Sequence, residues 1–181
     1  KLKMWNLMSS KFDMKDLREA YIILGMKLEK TTKGITLNQS GILEKMLKKF
    51  DYYNLKPISI PFDLSMNLKK NNGTPVSQLR YSQIIGSLLY IANKTRLDIA
   101  YAVGRLSRHT HNPSKDHWIV VERVFKYLRG TLDYSLCFSG FPNIVESYSD
   151  CNWITDSLDV KSTTGYIFML GGSAISWGSK K

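Results

Sequence analysis

The sequence predicts an α+β fold in which a β-hairpin precedes a helical region and a second group of strands follows. Three changes in the spacing of apolar residues support this prediction. Two short apolar runs flank a Gly-containing turn between Ala20 and Asn38, as in a hairpin. Apolar residues then recur at helical spacing as far as Leu128, and the period returns to two from Tyr134 onward.

Helical spacing predicts one helix near the N-terminus and four between the hairpin and residue 130. Ser40 is expected to cap the second helix and Asp98 the fourth, because short polar side chains accept hydrogen bonds from the first backbone N–H groups. The last helix is expected to open at Asn112-Pro-Ser114 and to end at Gly130, which suits a left-handed C-terminal position. The apolar faces comprise Leu2, Trp5, Met8 and Phe12; Ile42, Leu43, Met46, Leu47 and Phe50; Tyr81, Ile84, Ile85, Leu88, Leu89 and Ala92; Ala102, Val103 and Leu106; and Trp118, Val121, Val124, Phe125 and Leu128.

The segments outside these helices are predicted from turn residues and alternation. Three Pro residues and an Asn-Asn-Gly run predict a loop over residues 54–77. Tyr134–Phe138 and Ile144–Asp150 alternate as strands. A further hairpin is predicted from Gly165–Leu170 and Ala174–Trp177, which flank a Gly-Gly pair.

The formal net charge of +11 favours an anionic partner, of which nucleic acid is the commonest. The charge is uneven, because all but three of the 26 Lys and Arg residues precede Pro142. Basic helix faces are also frequent in proteins that bind no nucleic acid. Charge alone therefore leaves a solvated surface as an open alternative.

Several residue types point to no special chemistry. Cys137 and Cys151 lack the neighbouring Cys or His of zinc spacings, so packing or surface thiols in a reducing compartment are expected. The first twelve residues lack a signal-peptide core, and the chain has no apolar run of the roughly 18 residues that span a bilayer. We expect an intracellular protein of cytoplasm or nucleus that is not a membrane protein. Helix-surface, capping or core roles are expected for His109, His111, His117, Trp5, Trp118, Trp153 and Trp177.

Short strings in a fixed order cover nearly the whole chain. They are Met14-Lys-Asp-Leu17, Ile23-Leu-Gly-Met26, Tyr81, Ile85-Gly-Ser-Leu-Leu-Tyr90, Thr95-Arg-Leu-Asp-Ile-Ala100, Asn112-Pro113, His117-Trp118, Tyr127-Leu-Arg-Gly-Thr131, Tyr148-Ser-Asp150, Trp153, Lys161-Ser-Thr-Thr-Gly-Tyr166, Gly171-Gly172 and Ile175-Ser-Trp177. Together they resemble the Pol polyprotein of copia-type LTR retrotransposons. The resemblance implies that residues 1–141 are the C-terminal part of a reverse transcriptase, with its last palm hairpin, thumb and connection. It implies that residues 142–181 are the N-terminal strands of an RNase H-like domain, an incomplete sheet.

The resemblance also implies that the chemistry of such a parent enzyme is incomplete here. Both activities use carboxylates that hold divalent metals. The polymerase Tyr-x-Asp-Asp turn would precede residue 1, and no Asp-Asp pair occurs in the sequence. Asp150 matches the first RNase H carboxylate, whose partners would follow Lys181, and Asp156 and Asp159 fall in a loop of the family. We therefore expect Asp150 to be a non-functional remnant, with Mg²⁺ bound only in a complete parent and no cofactor or catalysis in this chain.

Three positions depart from the family pattern. Arg18 stands where the family has Gly, Leu97 where it has Pro, and Cys151-Asn152 where it has Ala-Asp. Losing a Gly or a Pro removes a conformational preference of the backbone. These departures are typical of drift in an element without selection.

Five basic residues on the predicted helices have two open interpretations. They could bind the backbone of an RNA/DNA hybrid or duplex as thumb helices do, or form a solvated face opposite the apolar stripe. The alternatives for the whole chain are a non-catalytic nucleic-acid-binding module, a working enzyme whose remaining residues lie outside this sequence, and a secreted or host-interacting protein. The sequence does not predict the oligomeric state. The five residues are Arg105, Arg108, Arg123, Lys126 and Arg129.

Overall fold

The structure, a computed structural model, describes residues 7–15, 19–63, 65–66, 68–156 and 161–180. In residues 152–156, 161–162 and 180 it describes the backbone only. The described chain contains helices and two antiparallel sheets, which confirms the α+β class. Residues 7–9 are helical, whereas Leu2 and Trp5 of the predicted N-terminal helix lie outside the described residues.

The first sheet joins the predicted hairpin to a strand that follows the helices. Its four antiparallel strands, in the order β1-β2-β3-β4, are Ile22–Ile23, Met26–Thr31, Gly34–Asn38 and Leu136–Phe138. Leu28 of β2 lies opposite Leu37 of β3, so the hairpin is confirmed. Leu136 of β4 lies opposite Leu37 on the other side. The chain therefore returns to its first sheet after the helical region.

Two glycines shape this sheet. Gly34 begins β3 with φ at +144°, and a Cβ there would collide with the carbonyl oxygen of Phe138 in β4. Gly25 has φ at +73° in the turn between β1 and β2, and a Cβ there would collide with the Ile42 side chain. Only glycine adopts such positive φ values without steric cost, so these positions fix how closely the strands approach their neighbours.

The helices build the main core. They are α1 (Ser40–Lys49), α2 (Gln78–Ala92), a 3₁₀ turn (Leu97–Ile99), α3 (Ala100–Ser107) and α4 (Lys115–Gly130). The predicted apolar stripes of these four helices are buried in one cluster, except that Ile42, Leu89 and Trp118 are only partly buried against it. Met8 and Phe12 of the predicted N-terminal stripe are exposed. This agreement follows from the 3.6-residue period, which places i, i+3, i+4 and i+7 on one face.

Two predicted N-terminal caps are wrong, and so is the left-handed position expected for Gly130, which is the last residue of α4 and has no positive φ. Gln39 precedes α1 at the cap position without a side-chain cap, and Ser40 is the first helical residue, whose N–H and hydroxyl both donate to the Asn38 side chain. Ile99 precedes α3, again without a side-chain cap. Asp98 accepts instead from Arg96 and Tyr127, and this stronger charged partner keeps its carboxylate away from the helix end.

The second sheet contains three antiparallel strands in sequence order, β5 (Glu146–Asp156), β6 (Lys161–Leu170) and β7 (Ser173–Lys180). β6 and β7 form the second predicted hairpin, whose turn has φ of +59° and +80° at its two glycines. Tyr166 lies opposite Gly178, and its ring occupies the space of the missing Cβ. The glycine therefore lets an aromatic ring cover the strand.

The second sheet contacts the helices and the first sheet. Trp177 of β7 donates its indole N–H to the Ala92 carbonyl at the end of α2, at 2.9 Å. The Ser139 N–H, just after β4, donates to the Gly171 carbonyl at 2.8 Å. Trp118 is partly buried against the helical core, as expected, and Trp177 is half-buried. The side chain of Trp153 lies outside the described residues.

The loop and the thiols follow the sequence predictions. The described residues between Phe50 and Ser77 contain no helix or strand. Asn71 fastens this loop, since its amide donates to the Asn112 side chain at 3.1 Å and its carbonyl accepts from the Asn112 amide. Cys137 and Cys151 are free and exposed. Within the described chain, none of the helices has the length and apolar character needed to span a bilayer.

Candidate functional site

Asp150 borders a cavity between the second sheet and the helices. It lies in β5 opposite Gly165 of β6, which is itself opposite Ser179 of β7. These residues line one wall of a cavity of about 320 Å³, and Leu97 and Tyr101 line another. Asp150 is exposed. The predicted remnant carboxylate is therefore accessible to solvent.

The described residues do not assemble a metal centre around Asp150. Across the described part of the chain, no three His, Cys, Asp or Glu side chains are grouped so that they could hold a metal. A two-metal centre needs several converging carboxylates, and one carboxylate leaves Mg²⁺ largely to water. This donor set does not fit such a centre. The side chain of Asp156, and Asp159 altogether, lie outside the described residues.

The two predicted arginines of α3 have different surroundings. Arg105 is buried, with 6% of its surface exposed, so it does not lie on the solvated face that the sequence suggested. The reason is that α3 contacts α2, α4 and β7, which together leave it little free surface. Arg108 follows the last residue of α3 and is exposed. Of this pair, only Arg108 is presented to an external anion.

Two of the three predicted basic residues of α4, Arg129 and Lys126, are held by contacts within the chain. Arg129 donates its Nε–H to the Tyr53 carbonyl at 2.8 Å and lies over the Tyr53 ring. Lys126 forms an ion pair with Glu122, one helical turn before it, at 2.6 Å. Arg123 is half-buried. The cationic groups of Arg129 and Lys126 therefore bind within the chain, and they are less available to a nucleic-acid backbone.

A groove between α1 and α2 carries basic residues that the sequence interpretation did not single out. Its volume is about 490 Å³, and Lys45 and Lys49 of α1 line one side. Gly86 lies on the other side, in the middle of α2, and a Cβ there would meet no atom within 4 Å. A glycine inside a helix costs about 1 kcal/mol relative to alanine. Its presence at position 86 is therefore the sequence signal that could have indicated this groove. The remaining lining residues are Ile42, Met46, Phe50, Ser82, Gln83, Ser87, Tyr90 and Ile91.

A buried arginine joins the 3₁₀ turn to the end of α4. Arg96 has 1% of its surface exposed and binds both carboxylate oxygens of Asp98, the shorter contact being 2.7 Å. The same guanidinium donates to the Thr131 carbonyl at 2.9 Å and to its hydroxyl. Tyr127 donates its hydroxyl to Asp98 at 2.7 Å. Burial raises the pKa of Tyr127 to about 12, and the hydrogen bond to Asp98 adds to this rise.

His117 closes the N-terminus of α4, which confirms the capping role expected for a histidine. Its Nδ1 accepts from the Ser114 N–H at 2.9 Å, while the Ser114 hydroxyl accepts from the His117 N–H. This reciprocal pair is a capping box, with His in place of the usual Glu or Gln. The His109 ring stacks on the His117 ring at 3.9 Å. Burial lowers the pKa of His117, because a charged imidazole is disfavoured there.

Comparison with known proteins finds similar sequences among transposon polyproteins. The chain is 43% identical over 182 residues to the retrovirus-related Pol polyprotein from transposon TNT 1-94 of Nicotiana tabacum, which covers 96% of this chain. It is 36% identical to the corresponding polyprotein from transposon RE2 of Arabidopsis thaliana, again over 96% of its length. The chain is therefore similar to a part of the retrovirus-related Pol polyproteins of transposons. An uncharacterized mitochondrial protein of Arabidopsis thaliana is 30% identical, and the chain covers 72% of its length.

The chain corresponds to only a small part of the length of these Pol polyproteins. The chain spans 14% of the length of the tobacco polyprotein and 12% of the Arabidopsis one. No family model matches the chain, and no solved structure matches it.

The short strings noted in the sequence supply contacts that hold the fold together. Thr95-Arg-Leu-Asp contributes Arg96 and Asp98, and Tyr127-Leu-Arg-Gly-Thr131 contributes the residues that they bind. Thr95 itself donates its hydroxyl to the buried Gln39 side chain at 2.8 Å. These strings therefore specify how the helices meet, and their presence does not by itself indicate a catalytic site.

Proposed function

We propose that the chain is a segment of a copia-type Pol polyprotein that joins two enzymatic parts. Residues 1–141 would be the C-terminal part of the reverse transcriptase, and residues 142–181 the first strands of the RNase H-like domain. Two features support this division. The first sheet and the helices use residues up to 138, and the second sheet begins at Glu146. The strings that resemble the copia family also follow its order along nearly the whole chain.

We further propose that the segment binds a nucleic-acid duplex and does not catalyse a reaction by itself. The observation that carries this proposal is the groove between α1 and α2. Lys45 and Lys49 supply positive charge on one side, and Gly86 leaves room for close approach on the other. Backbone phosphates attract such lysines, and hydroxyl or amide groups can bond to phosphates and sugars. Arg108 would extend the contact if the duplex reaches the end of α3.

Duplex binding is tested by fluorescence anisotropy with a labelled DNA duplex and an RNA/DNA hybrid, over a series of salt concentrations. Reversing both charges in Lys45→Glu/Lys49→Glu removes two phosphate contacts, so the slope of log K against log salt should fall by about 2. Gly86→Leu should weaken binding without any change of charge, because it fills the groove. The matched control, Lys33→Glu/Lys115→Glu, changes two exposed lysines elsewhere by the same charge. Equal losses of affinity in the two double variants would contradict duplex binding in the groove.

The absence of catalysis is tested separately, with an RNA/DNA hybrid and Mg²⁺. We expect no RNA cleavage above the level without protein, because the described residues offer one carboxylate where several are needed. Cleavage that requires Mg²⁺ and disappears in Asp150→Asn would show that the site is complete, and would favour a working enzyme.

A further inference from the structure

The first sheet has one apolar face that the helices cover only in part. The carbonyl oxygen of Tyr21, at the edge before β1, accepts from the Leu28 N–H at 2.8 Å. Tyr21 therefore lies in one row with Leu28, Leu37 and Leu136. Residues in one row of an antiparallel sheet project to the same face. Exposure along the row falls from 71% at Tyr21, through half-buried Leu28 and Leu37, to 8% at Leu136. The β4 side of this face is covered, and the β1 side is open.

The neighbouring rows repeat this pattern. Ile23 lies opposite Met26, and Ile35 lies between Lys30 and Phe138. Ile23 and Ile35 are 44% and 42% exposed. A groove of about 640 Å³ lies between residues 19–21 and β2, and Ile35 also lines it. Exposed apolar side chains that lie together on one face are typical of an interaction site.

The opposite face of the same sheet is polar and differs in kind. It carries Lys27, Glu29, Thr36 and Asn38, with Ile22 at the edge. An amphipathic sheet of this type normally covers its apolar side with another layer. In the described part of the chain, the apolar face therefore lacks such a layer at its β1 end.

The charge at the open face indicates which partner it fits. Among the described residues, its charged side chains are Glu19 and Lys30, which form an ion pair. Lys27 and Glu29 of the opposite face also line the groove and form a second ion pair, so these four charges sum to zero although the chain carries +11. A second copy of the chain would be repelled by most of the surface, and not by this face. A two-fold contact requires a self-complementary surface, and across such an axis Lys30 of one copy can face Glu19 of the other.

We propose that this face, formed by Tyr21, Ile23, Leu28 and Ile35, is the interface through which two copies of the chain associate. Apolar burial would supply the attraction, and the Glu19–Lys30 pair would permit a two-fold arrangement. The proposal does not depend on nucleic-acid binding, since the groove between α1 and α2 is formed by other residues.

Sedimentation velocity of the purified chain, from about 1 to 100 µM at physiological salt, tests the proposal. We expect a reversible monomer–dimer equilibrium within this range. Tyr21→Lys should raise the dimer dissociation constant at least tenfold. Ile22→Lys is the matched control, because it changes the adjacent residue of similar exposure, 68%, on the opposite face and should shift that constant less than twofold. Circular dichroism confirms that both variants fold.

Hydroxyl-radical footprinting of Tyr21 provides the second measurement. Protection that increases with protein concentration supports the interface between copies. Protection that is already complete in the monomer would overturn the proposal, because another segment of the same chain would then cover the face. A monomer at all concentrations, or equal effects of Tyr21→Lys and Ile22→Lys, would overturn it as well.

Discussion

Replacing Asp98 with alanine is expected to destabilise the chain strongly, because it leaves the guanidinium of Arg96 buried without its counter-ion. Arg96 is 1% exposed and Asp98 has 28% of its side chain exposed, so the pair is well shielded from water on one side only. Removing one partner of a buried pair costs about 3–5 kcal/mol, and the partial exposure of Asp98 places this case near 3 kcal/mol. For a chain of this size, such a loss lowers the midpoint of thermal unfolding by about 6–12 °C.

Urea unfolding followed by Trp fluorescence measures this loss. The double variant Arg96→Met/Asp98→Ala is the decisive comparison, because it also removes the buried charge that the single variant leaves unpaired. We expect the double variant to be more stable than Asp98→Ala by at least about 1 kcal/mol. Asp133→Ala, at an exposed position, should change stability by less than about 0.5 kcal/mol. A loss below about 1 kcal/mol for Asp98→Ala would refute the role of this network in joining the 3₁₀ turn to α4.

Two other substitutions test local features. The pKa of His117 is lowered from its usual 6.5 in the folded chain, so the unfolded chain binds a proton first and stability should fall as pH drops below about 6.5. His117→Gln keeps a capping-box residue that does not titrate, so its stability should fall less between pH 7 and pH 5. His111→Gln is the control and should leave the fall unchanged. Parallel curves of stability against pH for the original chain and both variants would contradict this prediction. Gly34→Ala should cost about 1–3 kcal/mol because of its positive φ, and Gly104→Ala, where a Cβ meets no atom within 4 Å, should stabilise by about 0.5–1 kcal/mol. Urea titration measures the expected loss of stability in Gly34→Ala and the expected gain in Gly104→Ala. Unchanged stability in Gly34→Ala would contradict the steric argument.

The helical part of the fold was predictable from sequence because its signal is local. The stripes Leu43–Phe50, Tyr81–Ala92 and Trp118–Leu128 recur with the helical period, and one face of each is buried. The hairpins were predictable for the same reason, since glycine-containing turns join adjacent runs. The pairing of β3 with β4 was not, because about a hundred residues separate the two strands and no local pattern encodes their register.

The candidate site was less predictable than the fold. Helical spacing places Arg105 off the apolar stripe of α3, but it does not reveal that neighbours cover more than one side of this short helix. The cap prediction for Asp98 failed because Arg96, two residues away, offers a stronger partner. The α1–α2 groove could have been suspected from Gly86, the glycine in the middle of an otherwise regular helical stripe. Its lysines become a site only once the two helices are packed together.

We propose above that the chain lies at the junction between reverse transcriptase and RNase H. The most direct test is the DNA sequence of the locus on both sides of the codons for Lys1 and Lys181. We expect a Tyr-x-Asp-Asp coding element upstream, and downstream the codons for the acidic residues that would join Asp150, whether or not the reading frame is intact. Flanking sequence that lacks both elements and resembles no Pol polyprotein would contradict it.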